Sequence, residues 1–494
     1  MNDGPVHNRR TGMKRIAWGI GTALVMAGAF LLVRSLNMES RQLENIPPLE
    51  AVPLPNAVTH LSAAIRVPTI SHADSLPVDS SAFDAFGAFL ESSYPRIHRQ
   101  LDLRRFNRYS RLYHWPGKDS RGPAMILAAH LDVVPVPDTE REDWRNPPFS
   151  GAVVNDTLWG RGAIDDKFAL IAIMEAVEHL LAEGFQPERD IWLALGHDEE
   201  IGGHRGAREM ARWLKEQNVQ ARLVLDEGYA VLRNLVPGIQ KDVAVIGTAE
   251  KGYATVRLSV HLPGGHSSMP EKNTAIDVLA AALQRLKAHP FPARFVEPVQ
   301  AFLDYIGPEM PFPQKLFFAN AALFEPLLLN IYSARASGNA MVRTTTAPTL
   351  FHAGVKDNII PARAGAVVNF RLLPGETSAS VLAHVREVVD DPRVRIRMKE
   401  FFAASPVSPV DNEAFRHLQR TIQAVYPGVL VTPNLVVGGT DGRYYYAVSE
   451  AVYRFVPFHI TPQTIKIFHG VNERIPVEDI QRGVLFYKTL IKSE

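Results

Sequence analysis

The reading of "IWLALGHDEEIGGHRG", residues 191–206, decides the fold. It opens on an uninterrupted apolar run, Ile191 to Leu195, that is long enough for one buried strand and closes on three acids, Asp198, Glu199 and Glu200. Strands covered on both faces read in this way, as continuous apolar segments rather than alternating ones. Two carboxylates about 4 Å apart repel by about 4 kcal/mol at an effective dielectric of about 20. On a solvated loop most of that repulsion is screened, and the acids are a polar strand end. In a half-buried site something cationic must hold them. The flanking segments decide between the two.

Working outward, "AMILAAHLDVV" (124–134) and "ARLVLDEG" (221–228) are two further buried-strand runs. "FALIAIMEAVEHLLAEG" (168–184) carries apolar residues at 168, 170, 171, 174, 177, 180 and 181 before Gly184, which predicts an amphipathic helix with a C-terminal stop. "HRGAREMARWLKEQN" (204–218) predicts another helix. Strand–helix alternation of this kind predicts an α/β fold, a mostly parallel sheet with helices on both faces. Near residue 248 the texture changes: "KGYATVRLSVHL" (251–262) alternates like a half-exposed strand, followed by helices at 274–289 and 378–391 and strands at 364–375 and 393–401. We read residues 248–403 as an inserted α+β lid or dimerisation domain, splitting a catalytic domain into 57–247 and 404–494. Residues 291–348, rich in Pro, Phe and Leu, do not fit that simple pattern. There is no internal repeat and no low-complexity tract.

The chain has 494 residues, 46% hydrophobic and 21% charged, enough for a sizeable core and more than one domain. A formal net charge of +1 leaves no basic excess to neutralise phosphates and argues against a dedicated nucleic-acid binder. With no cysteine, disulfides are excluded and any metal site must use His, Asp and Glu. At the N-terminus, Arg9, Arg10, Lys14 and Arg15 precede "IAWGIGTALVMAGAFLLV", 18 uncharged residues from Ile16 to Val33. That length suffices for a membrane-spanning helix, and the basic flank places residues 1–15 in the cytoplasm and the body across the membrane. The alternative is a signal peptide cleaved near "AGA" at 27–29 and a secreted body, but the apolar run continues to Val33 and favours an uncleaved signal-anchor. Arg9 and Arg10 lack the apolar residues of a twin-arginine signal directly behind them. Residues 34–56, with Pro47, Pro48, Pro53 and Pro55, predict an extended linker between membrane and body.

In open α/β sheets ligands bind beyond the carboxyl ends of the strands. "HLD" puts His130 and Asp132 on one face of a strand end. One of the two can hold a metal while the other orients it. "GRGAIDDK" (160–167) is a glycine-punctuated turn with Asp165 and Asp166 at a helix start, and Asp226 ends the third strand. Taken singly, these are a packed histidine, a helix cap and solvated acids. Together, His130, Asp165, Glu199, Glu200 and Asp226 fall at or just beyond successive strand ends, which points to cations holding the acids.

With these motifs in order, the sequence resembles the M20 metallopeptidases, co-catalytic two-zinc amidohydrolases. The match runs through "HLD" (130–132), "GRGAIDDK" (160–167), "DEE" (198–200), "LDEG" (225–228), "GGHSSMP" (264–270) and "FHGVNERI" (468–475), and covers about 57 to 494. The stretches 308–328 and 343–377 resemble the branch of Gly-X carboxypeptidases and N-fatty-acyl-amino-acid synthase/hydrolases. Phe168 departs from the glycine that many members carry after the lysine of "DDK".

The resemblance implies roles residue by residue. Asp165 bridges two zinc ions, with cobalt or manganese admitted by an all-N/O donor set. His130 and Asp226 complete one metal site, Glu200 and His469 the other. Glu199 is the general base, Asp132 orients His130, and His266 reaches over from the inserted domain, within a subunit or across a homodimer, to the oxyanion. Asn358, Arg371 and Arg443 are candidate binders of substrate carboxylate or carbonyl, since an arginine fork suits a carboxylate. His114, His197, His204 and His459 lie near the motifs but match no ligand position. The implied function is hydrolysis of the amide bond next to a free α-carboxylate, in a dipeptide or an N-acyl amino acid. The rivals are an aminopeptidase and a metal-stabilised binding protein without catalysis.

Overall fold

The computed structural model describes residues 7–50, 53–72 and 78–493; residues 1–6 of the expected cytoplasmic segment lie outside it. The apolar run 124–130, the run 191–196 and the run 221–226 form adjacent parallel strands at the centre of a ten-stranded sheet. All but one of their residues are buried. The strand Val452–Arg454 pairs in parallel with Ala221–Asp226, and beyond it Val243–Glu250 pairs with both Val452–Arg454 (antiparallel) and Leu430–Val436 (parallel). At the other side Asp102–Phe106 and Ser110–Trp115 add an antiparallel hairpin. The sheet is therefore mixed, where the sequence predicts a mostly parallel one. The apolar runs reveal burial on both faces but not the direction of the short strands that flank them.

The helix Lys167–Ala182 departs from its amphipathic expectation. It is buried on nearly every side, between the sheet and the helices Pro55–Ile65 and Val477–Lys492. Its polar residues face partners instead of water. Lys167 Nζ donates to the Ala64 and Val67 carbonyls at 2.9 and 2.6 Å. Glu175 pairs with His60 at 2.5 Å and Tyr94 at 3.0 Å, and Glu178 accepts the Arg96 and Ile97 backbone N–H groups. Phe168 is accommodated by Gly483, where an added Cβ would stand 2.4 Å from its ring.

A second sheet of four antiparallel strands, Gly252–His261, Thr345–Ala353, Arg363–Leu372 and Val394–Phe402, is covered on one face by the helices Ala275–Ala288 and Ser378–Val389. Burial alternates residue by residue along Gly252–His261 and Arg363–Leu372, as their patterns predict. Between the first two of these strands the chain forms the helices Glu297–Ile306, Gln314–Ala319, Ala321–Ser333 and Ala336–Val342. The first of them packs on the strand Leu430–Val436 of the large sheet.

The N-terminal helix runs from His7 to Leu36, and its segment Trp18–Leu36 is long and apolar enough to cross a membrane. Residues 38–50, which follow, form no helix or strand and are laid along the body. Gln42 exchanges two hydrogen bonds with the backbone of Val431, Gln419 donates to the Arg41 carbonyl, and Leu49 N–H reaches the Ala424 carbonyl at 2.8 Å.

Candidate active site

Each acidic motif meets its neighbours because of where its strand stops. His130 is the last residue of its strand and pairs in register with Gly196, the last residue of the next. Three residues on, Glu199–Ile201 make a single 3-10 turn closed by Gly202 in the left-handed region, φ +104°. The buried carboxylate of Asp132 holds this turn, accepting the backbone N–H groups of Glu199 and Glu200, both at 3.2 Å. It also lies 3.3 Å from His130 Nδ1. Asp132 thus positions both the histidine and the two glutamates.

Two groups of donor atoms share Asp165. In the first, His130 Nε2 lies 3.1 Å from Asp165 Oδ1 and 3.2 Å from Glu227 Oε1. In the second, His469 Nε2 lies 3.1 Å from Asp165 Oδ2 and 3.3 Å from Glu200 Oε2. The donor atoms of each trio lie within 4.8 Å of one another. His469 has φ +55°, and its carbonyl accepts from Arg161 at 3.1 Å.

Asp226, the expected ligand, is not in either trio, and Glu227 stands in its place. Successive residues at a strand end point to opposite sides, so only one acid of "LDEG" can face the histidine. Asp226 turns the other way and accepts the Gly442 N–H at 2.5 Å. It belongs to a buried network in which Arg454 Nε and both the N–H and hydroxyl of Thr440 donate to Glu250 Oε2, each at 3.0 Å.

Sequence reasoning also missed Arg161 and Glu473. They form a buried ion pair at 2.7 Å, and Glu473 accepts the Ile164 N–H at 2.9 Å, which ties the "GRGAIDD" turn to the loop bearing His469. Both residues sit inside quoted motifs, but nothing in the spacing pairs positions so far apart in the chain.

The site is acid-rich and largely buried, His469 being its exposed member. Burial, reinforced by Glu227, pushes the Glu199 carboxyl well up. Burial and Asp165 push Glu227 up to about 8, and the same two causes raise Glu200. Hydrogen bonds that the His469 ring donates to Asp165 and Glu200 push it up to about 10. Glu200 Oε1 is buried without a hydrogen-bond partner. A buried carboxylate needs a cation or a proton. This set of imidazole and carboxylate donors fits divalent cations with nitrogen and oxygen ligands.

The other expected residues fall in three places. Arg443 lies beside the Glu199 turn, with Nη2 3.5 Å from the Gly202 carbonyl, its guanidinium over Tyr444 and Phe402, and a buried Nε that has no partner. Arg371 stacks on Tyr253 at 5.1 Å within the four-stranded sheet. His266 and Asn358 share an exposed tip of that domain. There Gly265–His266 pairs with Ile359–Ile360, the Asn358 carbonyl accepts Ser267 N–H, and His266 Nδ1 bonds Ser268 at 2.8 Å. The remaining histidines have structural partners: His197 with Ser110, His114 stacked on Trp192, His204 with Tyr444, His459 with Asp479. A cavity of about 1100 Å³ lies on the open face of the four-stranded sheet among Arg257, His261, His352, Arg363, Arg395 and Lys399, and no residue of the two trios lines it.

Comparison with known proteins agrees with this geometry. Residues 126–493 match the model of peptidase family M20/M25/M40. An N-fatty-acyl-amino acid synthase/hydrolase of Xenopus tropicalis is 40% identical over 440 residues, spanning 88% of this chain and 85% of that protein. A probable carboxypeptidase S-like protein of Dictyostelium discoideum is 38% identical over 438 residues, 88% of this chain and 84% of its own. Among solved structures, an M20 family metallo-carboxypeptidase of Sulfolobus solfataricus superposes with a TM-score of 0.67 at 18% identity, covering 89% of this chain and 99% of that one. The chain belongs to peptidase family M20/M25/M40, the metal-dependent peptidases and amidohydrolases.

Proposed function

We propose that the protein hydrolyses the amide bond next to a free α-carboxylate, with dipeptides and N-acyl amino acids as the substrate classes. The observation that carries this reading is the pair of donor trios joined through Asp165 with the buried Glu199 beside them. His130, Asp165 and Glu227 would hold one divalent ion, and Asp165, Glu200 and His469 a second, zinc being the ion that this donor set suits best. Such ions, when bound, activate water and polarise a carbonyl.

The chain's own residues supply the rest. Glu199 is next to a ligand yet belongs to neither trio, so its carboxylate is free to take a proton from water and pass it to the leaving amine. Asp132 fixes where that carboxylate starts, through the two backbone N–H groups it accepts. Arg443, with an unpartnered Nε beside the Glu199 turn, is placed to receive the substrate carboxylate. Arg371 and Asn358 lie on the other domain and serve the same substrate from that side. His266 bonds only within its own tip among the described contacts, so its expected role at the oxyanion calls for approach of that domain or a partner subunit in a homodimer. The names of the relatives include both an N-fatty-acyl-amino acid synthase/hydrolase and a carboxypeptidase S-like protein, which supports keeping both substrate classes. The N-terminal helix acts as an uncleaved anchor with the body on the extracytoplasmic side.

The test is chelator-sensitive hydrolysis by the full chain of Gly-Leu, acetyl-leucine and oleoyl-phenylalanine, each beside its C-terminal amide. The expected result is zinc-restored cleavage of free acids alone. Equal cleavage of the amides, or a requirement for a free N-terminal amine, would overturn the substrate reading.

A further inference from the structure

The helix Ala321–Ser333 carries an apolar stripe that no part of the described residues covers. Leu323, Leu327 and Ile331, spaced four apart and so on one face, are 65, 46 and 58% exposed. Phe312, just before the preceding helix, is 58% exposed. Glu325, the one charged residue of Ala321–Ser333, lies two positions past Leu323 and so about 200° around the helix. A contiguous exposed apolar face on a soluble body marks a docking surface.

The same element is joined to the apolar N-terminal helix. Asn320, buried at the junction of Gln314–Ala319 and Ala321–Ser333, donates from Nδ2 to the Leu31 carbonyl at 3.2 Å. Lys315 Nζ reaches the Met38 carbonyl at 3.3 Å. The missing side chain of Gly307 leaves the space that the Met38 methyl group fills. Leu31 lies five residues before the end of the helix at Leu36, about 7.5 Å at 1.5 Å per residue. Asn320 is therefore level with the apolar part of that helix, at the depth of about 5–10 Å to which interfacial helices sink. The hydrogen bonds of Arg41, Gln42 and Leu49 to the body fix this arrangement.

We infer that Ala321–Ser333 lies in the lipid surface with its Leu323–Leu327–Ile331 stripe embedded beside the N-terminal helix, so that the enzyme sits on the bilayer. This rests on reading that helix as an uncleaved anchor. The inner face of Ala321–Ser333 leads toward the metal trios. Leu329 and Tyr332 pack in one cluster with Met341, whose sulfur faces the Tyr229 hydroxyl at 3.8 Å, two residues from Glu227. The lipid seat thus places the site next to the phase in which long-chain acyl substrates dissolve.

Because the chain has no cysteine, single labels can be placed without background. Full-length L323C, L327C and I331C, each carrying a nitroxide, are reconstituted in vesicles of phosphatidylcholine and phosphatidylglycerol. Collision rates with oxygen and with a water-soluble nickel chelate are then compared. L24C reports the N-terminal helix, and V355C, 94% exposed just after the strand Thr345–Ala353, reports water. The expected result is an oxygen-to-nickel ratio at all three positions several-fold above that at 355 and approaching that at 24. Lipid-like values at 24 with water-like values at 323, 327 and 331 would overturn the lipid seat and leave the anchor standing. Water-like values at all four positions would overturn both. Lipid-like values at the three positions with a water-like value at 24 would overturn the anchor and the placement of the stripe beside it.

Discussion

Adjacent Glu199 and Glu200 are expected to fail in different ways. Glu200 Oε2 is one of three donor atoms around His469 and Asp165, whereas Glu199 joins neither trio and is held in place through backbone bonds to Asp132. Glu199→Gln keeps the size of the side chain and removes the base. General-base catalysis contributes about 10²–10⁴ in rate, about 3–5 kcal/mol of barrier, so kcat should fall by that factor with metal affinity within a few-fold of the parent. Glu200→Gln removes a proposed ligand, and its metal affinity should fall by more than the roughly 10–100-fold that loss of an outer partner costs. Both variants are stripped with chelator, titrated with zinc and assayed at each point on an N-acyl amino acid. Excess zinc should restore part of the activity of Glu200→Gln and none of that of Glu199→Gln. Indistinguishable zinc titrations would refute this division of labour, as would a Glu199→Gln enzyme retaining a tenth of the parent's rate at saturating zinc.

Arg443→Lys keeps the charge but loses the fork, and hydrogen bonds to charged groups are worth about 1.5–3 kcal/mol. KM for a free-acid substrate should rise about 10–150-fold with little change in kcat, a split read from steady-state kinetics. Lys251 is buried at the start of the four-stranded domain, donating to the Ala340 and Arg343 carbonyls at 2.9 and 2.7 Å, and burial pushes its ammonium down to about 7. The unfolded chain binds more protons here between about pH 7 and pH 10, so stability should rise with pH in that window by up to about 1.4 kcal/mol per unit. Lys251→Met should flatten the slope in thermal denaturation. Asp226→Asn should lower stability by about 1–3 kcal/mol, seen as a lower Tm, because the Gly442 and Arg454 contacts around it are buried.

Much of this architecture is legible in the chain because its physical signal is local. The apolar runs 124–130, 191–196 and 221–226 are too short for buried helices and so read as strands, and the acids at their ends converge since parallel neighbours finish together. The illegible parts depend on contacts between distant residues. Which acid of "LDEG" faces His130 turns on where the strand stops, and a shift of one residue exchanges Asp226 for Glu227. Lys167, Glu175 and Glu178 look like the wet side of a helix until the Ala64 and Val67 carbonyls, His60 with Tyr94, and the Arg96 and Ile97 N–H groups are seen to satisfy them in turn. Proline-rich residues 34–56 read as a tether because Gln42 gives no hint of Val431. The helices within 291–348 are held by a neighbour, the N-terminal helix, almost three hundred positions away.

The decisive experiment is metal content by mass spectrometry on the full chain and four variants after dialysis against limiting zinc. Two ions per chain are expected for the parent and for Asp226→Asn, fewer than two for Glu227→Gln, and near-complete loss for Asp165→Asn, with His469→Ala keeping the ion of the His130 trio. Loss of an ion from Asp226→Asn while Glu227→Gln keeps both, or a single ion in the parent that survives Asp165→Asn, would contradict a two-ion centre built on Asp165.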